Sequence, residues 1–225
     1  SKAKGKEQLT PPPMLYHLTA LQQECNRRFG LTADQTLKIA QSLYEKHKLI
    51  SYPRTDSRHL TPDVARELSR VIRALPPPWA LLVPVSMPNP TALGKRYINA
   101  QKVTDHHAII PTAKTCDEHK LSPDELRVYD LIVRSLLCIL SSPAKDQLAT
   151  LEVTINEALL VAKGRVELDP GWRAVAPPQR KKNQREMLPF VPVGTPARAI
   201  EAQALEKQTQ APKPYSDATL LGAME

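Results

Sequence analysis

The spacing of apolar residues changes near Pro143. Of all features of the sequence, this change limits the possible folds of the chain most. Before Pro143, apolar residues recur three or four positions apart, as on one face of a helix. After it, residues 149–155 alternate apolar with polar side chains, as in a strand with one buried face. The two periods predict an α+β fold, with a helical block near residues 23–142 and a β block near residues 143–212.

Four helices are predicted from apolar spacing and from residues that suit helix ends. Thr32 followed by Gln35 has the pattern of a capping box, in which two side chains satisfy free backbone amides of the first turn. Ser122 followed by Glu125 has the same pattern. The predicted helices begin near Thr19, after Thr32, after Thr61 and after Ser122.

Other parts of the chain have weaker patterns. Residues 159–166 are predicted as a strand that returns beside residues 149–155. Two further strands are predicted at residues 173–175 and 198–205. Residues 1–8 are rich in lysine and have no period, so they are predicted as a linker or disordered start.

The composition excludes several classes of protein. The 225 residues include 7 Gly but 22 Pro, which excludes collagen and glycine-rich dinucleotide-binding loops. No stretch approaches the roughly 20 apolar residues of a membrane helix, and no secretory signal opens the chain, so a cytoplasmic location is expected. Cys25, Cys116 and Cys138 match neither a disulfide framework nor a zinc site, and no metal is expected in this chain.

The formal net charge of +8 favours a polyanionic partner. Residues 23–142 hold 17 Lys or Arg and 12 Asp or Glu, so this part is the best candidate for an anion-binding surface. Residues 177–186 are polar and basic, and we interpret them as a surface loop in preference to a dedicated nucleic-acid contact.

Residues 50–57, with the sequence ISYPRTDS, have a pattern that suits phosphate chemistry. In extended backbone, side chains two positions apart point the same way, so Tyr52 and Arg54 can face one ligand together. Arginine binds phosphate oxygens bidentately, and a cation beside a phenol favours the phenolate. These residues suit a bond between tyrosine and phosphate. Spacing alone leaves the alternative open that Tyr52 is a half-buried strand residue and Arg54 a surface charge.

Residues 105–112, with the sequence DHHAIIPT, place two histidines before a short apolar run. In an extended chain His106 and His107 point to opposite sides, so at most one of them faces a given site. That histidine can donate a hydrogen bond to a phosphate or orient a neighbour. Two purely structural histidines are the alternative that the pattern leaves open.

With these two segments the chain resembles the type IA DNA topoisomerases, and within them the bacterial topoisomerase III branch. The tyrosine pattern at residues 44–57 and the His-x-Ala-Ile pattern at residues 106–109 form a specific pair. Residues 18–22 (LTALQ), 215–221 (YSDATLL) and, more weakly, 171–173 (GWR) extend the resemblance over nearly the whole chain.

The resemblance implies a multidomain α+β fold in which a mostly helical domain with the active-site tyrosine is inserted into a β-rich arch domain. Residues 23–142 would form the helical domain. Residues 9–22 and 143–212 would form two passes of the arch, and residues 213–225 would begin the next helical domain.

The resemblance also implies roles for single residues. Tyr52 matches the nucleophile that attacks single-stranded DNA and keeps the 5′-phosphate, Arg54 the arginine at the scissile phosphate, and His106 the histidine near the phosphates. His107 is the less expected of the pair, and Asp56 is expected to orient Arg54. The DNA-binding or supporting residues are expected to be Thr55, Asp56, Ser57, Arg58 and His107.

The resemblance places other parts of the enzyme outside this chain. A Toprim domain, whose acidic residues bind the Mg²⁺ needed for resealing, normally precedes this region, and C-terminal domains follow it. We therefore expect a part of a longer bacterial enzyme that acts on single-stranded DNA, without a cofactor of its own and inactive alone in relaxation.

Two other functions were weighed against this one. A non-catalytic single-strand-binding module is disfavoured because aromatic residues make up only 4% of the chain. A tyrosine recombinase is disfavoured because its tyrosine follows its Arg and His residues, whereas Tyr52 precedes both histidines of the pair.

Overall fold

The computed structural model describes residues 2–155, 157–177, 194–196, 198, 200–201 and 203–224. The chain forms two compact units, here called the sheet unit and the helical unit. The sheet unit consists of Ser1–Pro11, Pro143–Gly171 and Pro177–Lys213. The helical unit consists of Pro12–Ser142, Trp172–Ala176 and Pro214–Glu225. The basic run predicted as a loop at residues 177–186 lies, except for Pro177, outside the described residues.

Three antiparallel strands form the sheet unit, in the order β1-β2-β3. They are β1 (Lys2–Thr10), β2 (Ala144–Ile155) and β3 (Ala158–Asp169). The pair β2–β3 confirms the two strands predicted from the period of two. Asp146 is buried near the start of β2 and pairs with Arg165 of β3 at 2.7 Å. A buried carboxylate needs such a partner to offset its lost hydration.

Three predictions of the β part were wrong. Residues 2–8, predicted as a linker, belong to β1, whose partner β2 lies far along the chain and therefore leaves no local pattern. Of residues 173–175, predicted as a strand, the first two lie within the short 3₁₀ helix Gly171–Ala174 and Val175 follows it, with the Val175 amide donating to the Trp172 carbonyl at 3.1 Å. The described residues within 198–205 lie in no strand.

Five α-helices lie in the described part of the helical unit. They are α1 (Leu18–Phe29), α2 (Ala33–Glu45), α3 (Pro62–Arg73), α4 (Pro123–Ile139) and α5 (Asp217–Met224). The first four confirm the predicted helices. Both capping boxes are present, at Thr32 with Gln35 and at Ser122 with Glu125. Gly30, at a φ of 71°, takes the left-handed conformation that ends α1.

Helix α4 supplies much of the core of the helical unit. Leu136 on this helix is fully buried. Trp79, which follows α3, packs edge-on against Tyr129 of α4 with ring centroids 5.1 Å apart. The Trp79 Nε1 donates to Asp130 at 2.8 Å, which satisfies the polar end of a buried indole.

The two units divide the chain differently from the predicted domains at two places. Residues 12–22, predicted in the arch, lie in the helical unit and include the start of α1. Helix α5, predicted in a following domain, also lies there. The Ala33 amide donates to Asp217 at 3.0 Å, and the Ala218 amide donates to Asn26 at 3.2 Å. No described helix is both long and apolar enough to cross a membrane.

Candidate active site

Two segments of the helical unit lie side by side and form the candidate site. They are the tyrosine segment (residues 49–57) and the histidine segment (residues 105–112). The Ser51 amide donates to the Ile110 carbonyl at 2.9 Å, and the Ser51 hydroxyl donates to the Ala108 carbonyl at 3.2 Å. Because Ala108 and Ile110 are buried, these bonds fix the tyrosine segment to the core.

The rings of Tyr52 and His106 are in contact, with centroids 4.4 Å apart and planes inclined by 49°. Tyr52 is half-buried and His106 is exposed. His107 is instead half-buried, with Nδ1 2.7 Å from the Ala108 carbonyl oxygen, and burial lowers the pKa of its imidazole. The structure therefore brings His106 to the tyrosine, while His107 is engaged with the Ala108 carbonyl.

Two buried hydroxyl groups join the tyrosine segment to its surroundings. Thr55 Oγ1 donates to the His106 carbonyl at 2.8 Å and accepts from the Ser57 amide at 3.1 Å. The Ser57 hydroxyl donates to the Lys102 carbonyl at 2.8 Å. The Leu18 amide, at the start of α1, donates to the Thr55 carbonyl at 3.0 Å. Thr55 and Ser57 thus support the segment from within the protein.

The charged residues of the tyrosine segment differ in their surroundings. Arg54 and Asp56 are exposed, and within the described part of the chain no ion pair or hydrogen bond joins their side chains. No described contact therefore supports the expectation that Asp56 orients Arg54. Arg58 donates from Nε to the Leu15 carbonyl at 2.9 Å and lies within 3.5 Å of the Met14 carbonyl. Arg58 therefore acts as a supporting residue for the backbone.

Sequence reasoning missed a second aromatic neighbour of Tyr52. The edge of the Tyr44 ring meets Tyr52, with centroids 5.4 Å apart and planes inclined by 75°. Lys48 places its Nζ 5.6 Å from the centroid of the Tyr44 ring. Tyr44 is half-buried near the end of α2. No local pattern indicated that it would meet Tyr52.

A family model described as DNA topoisomerase matches residues 1–225 of the chain. The chain belongs to the type IA DNA topoisomerases. This family consists of isomerases, and membership agrees with the resemblance drawn from the tyrosine and histidine segments.

Relatives and a solved structure extend the match. DNA topoisomerase 3 of Shouchella clausii (strain KSM-K16) is 37% identical over 223 residues, which cover 98% of this chain and 31% of that protein. DNA topoisomerase 3 of Bacillus subtilis (strain 168) is 35% identical over 219 residues, which cover 95% of this chain and 30% of that protein. The structure of full-length topoisomerase I from Thermotoga maritima matches with a TM-score of 0.60 at 21% identity. The match covers 84% of this chain and 31% of that one. That likeness shows the fold alone. This topoisomerase chain spans about 31% of the length of the relatives it matches.

The candidate site carries a phenol, an imidazole and a guanidinium. Deprotonated phenol is a nucleophile, imidazole donates or accepts a hydrogen bond, and guanidinium binds two oxygens of one phosphate. Within the described ranges, no group of three or more His, Cys, Asp and Glu side chains is placed to hold a metal ion.

Proposed function

We propose that this chain is the tyrosine-bearing part of a longer type IA topoisomerase that cuts one strand of DNA, lets another strand pass and reseals the cut. The observation that carries the proposal is the contact between the Tyr52 and His106 rings, 4.4 Å apart at the surface, with an exposed Arg54 two residues further along. The substrate is single-stranded DNA, which the positive charge of the chain attracts.

The proposed reaction exchanges one phosphodiester for another. The Tyr52 oxygen loses its proton and attacks the phosphorus, and the bond from phosphorus to the 3′-oxygen breaks. That oxygen takes up a proton, so the products are a 5′-phosphotyrosine and a free 3′-hydroxyl. Resealing reverses each step. Because a bond of similar energy replaces the one that breaks, no nucleotide cofactor is needed.

Arg54 and His106 have separate roles in this proposal. The Arg54 guanidinium is free to bind the non-bridging oxygens of the scissile phosphate bidentately, where it stabilises the added charge of the transition state. His106 lies against the Tyr52 ring and is exposed, so it can donate a hydrogen bond to the same phosphate. Thr55, Ser57 and Arg58 hold the backbone that presents these groups.

In this proposal, further domains of the longer enzyme complete the catalytic machinery. We assign the sheet unit to the arch domain and the helical unit to the domain with the catalytic tyrosine. A Toprim domain outside this chain would bind Mg²⁺, which supports resealing. The isolated chain is therefore expected to bind single-stranded DNA but to leave supercoiled plasmid unrelaxed, as an agarose gel would show.

The polarity of the covalent link tests the proposal directly. The longer enzyme is incubated with a single-stranded oligonucleotide labelled at its 3′ end and then denatured. We expect the label to move to the protein, because the 5′-phosphate of the downstream fragment stays on Tyr52. The same oligonucleotide labelled at its 5′ end should yield only a shorter free fragment.

Tyr52→Phe is the matched variant for this experiment, because it removes only the hydroxyl. We expect transfer of the 3′ label to fall by at least about 10⁴-fold while binding of the uncut strand is retained. Transfer of the 5′ label, or equal transfer by Tyr52→Phe, would refute the assignment of Tyr52 as a nucleophile that keeps the 5′-phosphate.

A further inference from the structure

Lys48 has a backbone conformation that costs free energy. Its φ is 58°, and it is the one non-glycine residue with a positive φ in the described part of the chain. A left-handed residue just past a helix end is usually glycine, because a Cβ at this position meets the backbone. The conformation is held in place, since the Lys48 carbonyl accepts from Thr112 Oγ1 at 2.7 Å and the Leu49 amide donates to Leu43 at 2.9 Å.

The contacts of the Lys48 side chain do not offset the free energy that its backbone conformation costs. Lys48 is exposed, and its described contact is the ring of Tyr44, 5.6 Å from Nζ to the centroid. An exposed contact between a cation and a ring stabilises by no more than left-handed backbone costs. Stability alone therefore favours glycine at this position, and a strained residue beside a functional site points to a functional role.

The ammonium group of Lys48 lies on the same aromatic cluster as the proposed nucleophile. Tyr44 contacts both Lys48 and the Tyr52 ring, whose centroid lies 5.4 Å from its own. No described carboxylate pairs with Lys48, so its charge is available to a ligand. Arg54, in the same segment as Tyr52, is the group suited to the scissile phosphate itself.

We propose that Lys48 binds a DNA phosphate that flanks the scissile one. The proposal rests on the proposed function and extends it, because it assigns a second phosphate site beside Tyr52 and Tyr44. An ammonium suits this site since it binds phosphate as a point charge and tolerates the varied geometry of a flexible single strand. The phosphate fixes the path of the strand toward Tyr52 without taking part in the bond exchange.

Binding of a fluorescent single-stranded oligonucleotide to the 225-residue chain, measured by anisotropy at several salt concentrations, tests the proposal. Every variant carries Tyr52→Phe, so that cleavage does not interfere. We expect Lys48→Gly to weaken binding by about 3- to 10-fold at low salt and to reduce the slope of log Kd against log salt by about 0.7, the value for one phosphate of a single strand. Its Tm should stay unchanged or rise by up to about 3 °C, because the strain is relieved.

Two further variants keep the test decisive. Lys48→Met retains the stem and the backbone strain but removes the charge, and it should reduce the slope as Lys48→Gly does. Lys46→Met removes the same charge from an exposed residue with right-handed backbone two positions earlier, and it should leave the slope nearly unchanged. If both Lys48 variants reduce the slope no more than Lys46→Met, the phosphate site is refuted.

The failure of this proposal is distinguishable from failure of the proposed function. If the Lys48 variants leave the salt slope unchanged while the 3′ label still transfers normally to Tyr52, only the flanking phosphate site is refuted. A clear slope effect without any transfer would leave Lys48 as a phosphate contact and remove the cleavage reaction.

Discussion

The helical unit and the sheet unit differ in how they use apolar side chains. The helical unit buries a continuous set of them, and Leu136 on α4 has an exposed fraction of 0%. In the sheet unit, Leu160 on β3 is 54% exposed, and the neighbouring Leu159 and Val161 are similar. The candidate site lies entirely on the unit with the core, which is consistent with chemistry that needs fixed positions.

The largest expected effect tests this difference in stability. Leu136→Ala removes packed methyl groups from the core and should lower the free energy of unfolding by about 2–5 kcal/mol. Leu160→Ala, the same substitution on the sheet, should lower it by less than about 0.5 kcal/mol, because the side chain is already exposed. Urea titration followed by circular dichroism measures both. Equal losses would mean that Leu160 is buried in solution, and the comparison between the units would not hold.

The next effect concerns where the chemistry lies. Arg54→Ala should slow cleavage by the longer enzyme about 10²- to 10³-fold, because the scissile phosphate loses a preorganised cation. Lys163→Ala removes one exposed positive charge from β3 of the sheet unit and should change the rate by no more than about threefold. Single-turnover transfer of the 3′ label measures both. A similar loss in the two variants would show that Arg54 acts only through the net charge.

A finer comparison lies within the histidine segment. His106→Ala should slow cleavage by about 10- to 100-fold, since a hydrogen bond to a charged phosphate is lost. His107→Ala should slow it by less than about fivefold, because His107 is engaged with the Ala108 carbonyl. The same transfer assay ranks the two variants, with Tm as the control for folding. The reverse order would show that the motif is assigned out of register by one residue.

The smallest effect is a pH dependence of stability within the helical unit. Burial raises the pKa of Glu125, but hydrogen bonds from Ser42 and Ser122 and the nearby His47 outweigh it and lower the pKa from 4.5 to about 2. A carboxyl with a lowered pKa in the folded state stabilises the fold above its unfolded pKa and loses this effect as pH falls through the folded value. Glu125→Gln should therefore cost about 1 kcal/mol at pH 7.

The matching measurement is the free energy of unfolding of wild type and Glu125→Gln between pH 7 and pH 2. We expect the difference to shrink as pH falls from about 4.5 toward 2. Glu157→Gln, at an exposed position of the sheet unit, provides a control whose difference should stay near zero throughout. A constant cost for Glu125→Gln would mean that its hydrogen bonds do not depend on its charge.

Local signals predicted the helical unit well. The capping boxes at Thr32 and Ser122 depend on residues three positions apart, so the sequence carries them in full. The strand β1 could not be predicted in this way, because its amides pair with residues of β2 far along the chain. The short turn at Gly171–Ala174 was misread because a few apolar residues suit a strand and a turn equally.

The candidate site was only partly predictable for the same reason. The Tyr52 and Arg54 pattern is local, and so is the alternation that predicts different directions for the two histidines. The contact between Tyr52 and His106 arises from packing between segments far apart in the chain. The contact of Tyr44 with Tyr52 and the left-handed backbone of Lys48 leave no periodic pattern in the sequence. The catalytic roles of Tyr52, Arg54 and His106 stay predictions that the assays above test.

The Thr55 hydroxyl joins the two segments of the candidate site. It donates a hydrogen bond to the His106 carbonyl, and the Ser57 hydroxyl donates to the Lys102 carbonyl, so the segments that carry the phenol and the imidazole are joined directly. If the proposed strand passage takes place, this arrangement predicts that the opening forms outside these two joined segments. A DNA end bonded to Tyr52 would travel with its partners still beside it. Under the same proposal, resealing would need to bring back only the free 3′ end.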